Sequence, residues 1–208
     1  MSAFHIAVLT TLLAVTFTFG LDPYAHPTGS GLCVTQEWMG GQAMMTGAIV
    51  NGRKTVTNTM TFVSYSAKQR KIRAQQFKPN SILTLFDFPA GIQYTVTYPQ
   101  SSAKPVCKTT PLPGPFKEQC IPDNYTVTVD PHTSFGAGTY VTYGWEARGT
   151  LGDFTYHVTM SNNMLPMFEE IYGTKDGVPF FQNLYFFNAT ATTFPPTAFS
   201  VPDACKTQ

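Results

Sequence analysis

Charge is scarce in this chain: Asp, Glu, Lys and Arg make up 12% of its 208 residues, against about 25% in an average soluble domain. The formal net charge is only +1, so the composition gives no electrostatic case for nucleic acid or an acidic membrane as partner. Catalytic signatures are missing as well. There is no G-x-S-x-G elbow, no H-E-x-x-H, no phosphate loop and no C-x-x-C. Gly136-Ala-Gly138 lacks the third glycine of a dinucleotide loop and lies between strand-like runs, so it reads as a turn. Glu169-Glu170 reads as a solvated pair at an element end, and His26, His132 and His157 as surface or satisfied histidines. No EF-hand loop occurs, although calcium held by loop carbonyls and scattered Asp would leave no sequence signature. These absences predict a binding protein rather than an enzyme.

Long apolar runs are also rare. The one present, from Phe4 to Phe19, is shorter than the ~20 residues of a spanning helix and ends at small residues. It reads as a signal peptide over residues 1–20, despite having only His5 where a Lys or Arg is usual. Residues 21–208 then form one secreted, extracellular domain with no transmembrane span. Four cysteines, Cys33, Cys107, Cys120 and Cys205, suit an oxidising compartment, and so do two glycosylation sequons at Asn124 and Asn188.

The chain is rich in aromatics, at 14%, and these recur with period two. Strands are expected over Thr55–Tyr65, Ile82–Phe88, Ile92–Tyr98, Tyr125–Val129, Thr139–Gly149, Asp153–Met160 and Phe180–Thr193, with turns at Pro89-Ala-Gly91 and Gly149–Gly152. The prolines from Pro99 to Pro115 mark a connector. Met164–Tyr172 and Ser66–Gln76 are the two stretches with some helical character. Alternation places Leu83, Leu85, Tyr94, Val96, Val141, Tyr143, Trp145, Phe154, Tyr156 and Phe186 on apolar strand faces, as an ordinary core or as the candidate lining of a hydrophobic pocket, two outcomes that composition does not separate. Seven methionines past the leader, Met44, Met45, Met160, Met164 and Met167 among them, suit such a lining or an ordinary core. The basic cluster Lys68, Arg70, Lys71 and Arg73 reads as a solvated strand end, with sulfated glycans as the functional alternative.

Several segments resemble ependymin-related proteins. Cys33 followed by Gln36-Glu-Trp-Met-Gly40 is similar to the family's Cys and Gln-x-Trp-x-Gly opening, and Val63-Ser-Tyr65 with Gln69-Arg-Lys-Ile-Arg73 to its strand and basic turn. Phe116-x-x-x-Cys120-Ile-Pro-Asp-Asn-Tyr-Thr126, Tyr140–Trp145, Phe187-Asn-Ala-Thr-Ala-Thr and Phe199-Ser-Val-Pro-Asp-Ala-Cys205 resemble later family segments, in order to the end of the chain. The resemblance implies a mainly β fold of two stacked, curved antiparallel sheets, like that of lipoprotein carriers, with one or two short helices around a hydrophobic pocket. It also implies calcium binding, cell-matrix adhesion and a homodimer. Cys107 and Cys205 correspond to a family pair, which leaves Cys33 with Cys120. Some relatives pair the first cysteine within the segment corresponding to Met164–Met167, where this chain has none. The expected function is binding of a lipid or fatty-acid-like ligand between sheets. The alternative is an extracellular adhesion protein, binding matrix components, or a signalling protein without a cavity.

Overall fold

β-Branched and aromatic residues fit a pleated, half-buried surface, and in the computed structural model of this chain they form strands nearly throughout. The structure describes residues 33–50, 52–77, 81–99, 104–120, 126–128, 134–137, 140–151, 153–175 and 177–206. The leader and Asn124 lie outside them. Along the chain run β1 (Glu37–Val50), β2 (Arg53–Ser66), β3 (Lys71–Gln76), β4 (Ser81–Asp87), β5 (Ile92–Tyr98) and β6 (Val106–Pro111). They are followed by β7 (Thr126–Thr128), β8 (Ser134–Ala137), β9 (Tyr140–Leu151), β10 (Phe154–Ser161), β11 (Pro166–Lys175) and β12 (Val178–Ala191). A 3-10 turn at Pro196–Phe199 and a short helix at Asp203–Lys206 end the described chain.

All pairings are antiparallel, in the order β6-β5-β4-β3-β2-β1-β12-β11-β10-β9-β7, with β8 added to β9. The fold is therefore mainly β, but as one continuous sheet and not the two stacked sheets expected. The reason is β1, which pairs with β2 on one side and β12 on the other along nearly its whole length, so no gap separates the halves. Gly52, at φ 73°, supplies the left-handed conformation needed between β1 and β2.

Three other expectations give way. Met164–Tyr172 is not helical, because Pro166–Lys175 is strand β11. Ser66–Gln76 is a turn ending at Arg70, at φ 52°, followed by β3. The proline-rich connector contains β6, which tolerates Pro111 because it is an edge strand.

Directly paired residues of antiparallel neighbours share a face, so the register sorts the side chains. One face, here called inner, carries Trp38, Tyr65, Ile72 and Phe86 in one row and Val63, Ala74 and Thr84 in the next. Across β12 the same face carries Met44, Leu184, Glu169 and Val158, then Thr46, Gln182, Ile171 and Tyr156. Two buried clusters form on it, around Trp38, Tyr65 and Phe86, and around Tyr156, Met160 and Ile171. Val34 packs against both, so the two halves of the sheet bend towards each other over this face.

The outer face of β3–β6 is covered by the C-terminal tail. Ala204 and Cys205 pack on Leu83, Val96 and Cys107, and Phe199 is buried. The Cys107–Cys205 disulfide fixes the tail there.

Candidate functional site

One end of the inner face is sealed by three segments joined through their backbones. Val34 N–H donates to the Gln119 carbonyl at 2.8 Å and Thr35 N–H to that of Met164 at 2.9 Å. The Cys33–Cys120 disulfide clamps two of these segments together. Phe116 and Leu165 pack beneath them against the Trp38 cluster, with Phe186 edge-on to Trp38 at 5.8 Å between ring centroids. The Tyr65 hydroxyl accepts a hydrogen bond from Gln119 N–H at 3.3 Å, and burial pushes its pKa up to about 12.

Further along, the face turns from wholly apolar to partly polar. Thr46 on β1 pairs in register with Gln182 on β12, Gln182 with Ile171 on β11, and Ile171 with Tyr156 on β10. Glu169 sits two residues from Ile171, beside Leu184 and Val158. Burial drives the Glu169 carboxyl up to about 7, although the residue as a whole keeps some exposure. Tyr156 is pushed up to about 12, first by burial and then by the nearby Glu169. Thr46 Oγ1, Gln182 Oε1 and Trp38 Nε1 are buried without a hydrogen-bond partner among the described residues, a state that folded proteins seldom leave unexplained.

The ten residues expected to line a pocket do not share a face. Phe154, Tyr156 and Phe186 are on the inner face, in its two clusters. The strand positions of Val141, Tyr143 and Trp145 match that face, since Trp145 pairs with Met160; their side chains are not described. Leu83, Leu85, Tyr94 and Val96 are on the outer face, and Leu83 and Val96 pack under the tail. In their place, Thr84 and Phe86 of β4 look inward. Glu169 is likewise not half of a solvated pair: alternation along β11 turns it inward and Glu170 outward.

The outer face carries structural ion pairs and exposed aromatics. His157 Nε2 lies 2.7 Å from Glu146 Oε1, and Arg148 Nε donates to the same oxygen at 2.6 Å. Three members of the basic cluster have partners: Lys68 meets Glu37 at 3.2 Å, Lys71 meets Asp87 at 2.8 Å, and Arg73 donates to the Ala198 carbonyl at 3.4 Å. Phe181 and Phe187 lie where side chains on Gly47 and Gly41 would be. Cys33, Glu118 and Cys120 form the one metal-like grouping among the described residues, but its cysteines are joined as a disulfide. Among the described residues no helix is long and apolar enough to cross a membrane.

No protein-family model and no curated protein matches the chain. The resemblance to ependymin-related proteins thus rests on the quoted residues alone. Solved structures do show likeness. An uncharacterized conserved protein from Thermus thermophilus is similar over 79% of this chain and 86% of its own, at 9% identity and a TM-score of 0.41. A LolA superfamily protein from Nitrosomonas europaea is similar over 90% of this chain and 97% of its own, at 12% identity and a TM-score of 0.35.

Proposed function

We propose that this protein is a secreted, non-catalytic carrier that holds an apolar ligand, such as a lipid, against the inner face of its sheet. The observation that supports this reading most is the distribution of cover. The C-terminal tail, the only helical part among the described residues, lies on the outer face, while the inner face is sealed by loops at one end. A ligand chain entering from the other end would meet Phe154, Phe180, Leu184 and Ile171. Each methylene buried there contributes about 0.8 kcal/mol before the costs of association. Export is supported by the two disulfides, which persist in oxidising compartments. Native mass spectrometry and lipid extraction of protein purified from a secreting host test the reading. Retained or exchangeable lipid is expected, and protein that is lipid-free and takes up none refutes it.

A second reading, extracellular contact through the outer face, draws on the exposed Phe62, Tyr172, Phe181, Tyr185 and Phe187. It predicts cell-matrix attachment that survives Leu184→Trp on the inner face and fails on Phe62→Ser/Tyr185→Ser.

A further inference from the structure

We propose that Thr46, Gln182 and Glu169 form a polar cradle for the head of a neutral amphiphile bearing a hydroxyl group, in preference to an ionised fatty acid. This rests on the carrier reading above and narrows its ligand class.

The register places the three side chains on one face of three consecutive strands. Thr46 and Gln182 stand directly opposite each other and are 5% and 1% exposed. Glu169 is diagonal to Gln182, because it pairs with Leu184 two residues away. Such diagonal neighbours are about 7–8 Å apart, within the reach of long side chains. Thr46 Oγ1 and Gln182 Oε1 have no partner among the described residues, so both can turn to a guest.

Donor and acceptor chemistry then selects the guest. A ligand hydroxyl donates to Gln182 Oε1 and accepts from the Thr46 O–H. A carboxylate only accepts, so it has nothing to offer Gln182 Oε1, and it brings a second negative charge towards Glu169. Among the described residues, no cation is paired with or diagonal to the cradle to offset this. Tyr156 faces it from β10, while the inner positions nearby on β2 and β12 hold Thr57, Thr59, Phe180 and Leu184. The cations in register with this face among the described residues are Arg53, Lys108 and Lys175; Arg53 adjoins the β1–β2 connection, Lys108 is on edge strand β6 and Lys175 is at the end of β11, four residues beyond Ile171, so none is directly paired or diagonal to the three cradle residues. Burial raises the Glu169 carboxyl to about 7, so at pH 8 it is ionised and opposes a carboxylate guest.

The test uses the delipidated full-length secreted protein and three probes of equal chain length, dodecane, 1-dodecanol and dodecanoate, in equilibrium binding at pH 8. Dodecanol is expected to bind at least tenfold more tightly than dodecanoate. In Thr46→Val/Gln182→Leu the dodecanol affinity should fall about tenfold while dodecane is unaffected. Glu169→Gln, which keeps the shape, should improve dodecanoate binding severalfold. Circular dichroism checks that each variant is folded. Dodecanoate binding as tightly as dodecanol, or an unchanged preference in the folded double variant, overturns the cradle and leaves the carrier reading intact. Binding of none of the three overturns both.

Discussion

Glu169 makes stability depend on pH in an unusual direction. Its carboxyl moves from 4.5 in the open chain to about 7 in the fold because burial penalises the charged form. Between those values the folded chain binds more protons than the unfolded one, so stability falls as pH rises. At about 1.4 kcal/mol per pKa unit, the full loss above pH 7 is at most about 3 kcal/mol. Salt-bridged carboxylates do the opposite and lose stability in acid. The assay is urea unfolding of wild type and Glu169→Gln at pH 5, 6, 7 and 8 with disulfides intact, followed by far-UV circular dichroism. Gln mimics the protonated acid, so the variant should exceed wild type by only about 1 kcal/mol at pH 5 and by about 3 kcal/mol at pH 8. The difference between the two proteins cancels the other titrating groups. A difference that stays constant from pH 5 to pH 8 would refute the buried placement of Glu169.

Other expectations follow from the packing. Cys107→Ala/Cys205→Ala should release the tail from Leu83 and Val96; limited proteolysis should then cut near Pro195, and unfolding should show a loss of up to about 5 kcal/mol. Gly47→Ala places a methyl group where the Phe181 ring lies and should destabilise by about 1–3 kcal/mol; adding Phe181→Ala should recover part of this in a double-mutant cycle. Leu184→Ala, at 1% exposure in the centre of the inner face, should cost about 2–5 kcal/mol by thermal or urea unfolding.

Much of the sheet was legible because half-buried antiparallel strands alternate. The stretches around Thr55–Tyr65, Ile92–Tyr98 and Asp153–Met160 closely match β2, β5 and β10. β1 was illegible because Gly40, Gly41 and Gly47 weaken its strand signal, and the rings that cover Gly41 and Gly47 come from β12, far along the chain. Without β1 the halves read as separate sheets, and Thr46 went unnoticed. In β4 both faces are covered, so Leu83 to Asp87 are all buried and alternation no longer tells Leu83 and Leu85 from Thr84 and Phe86. The sequence does not show that the tail returns to the outer face of that strand. In β11, Phe168, Ile171 and Tyr172 fit a helical spacing as well as a strand, which hid the inward turn of Glu169.

The central claim is that the inner face holds an apolar guest. Photolysis of the delipidated protein with a long-chain alcohol carrying a diazirine on its chain, followed by peptide mapping, tests this most directly. Labels are expected on the peptides around Tyr156, Ile171 and Leu184, diminished by unlabelled dodecanol. Labelling confined to the outer-face residues Phe62, Tyr172 and Tyr185, or none that dodecanol displaces, would contradict it.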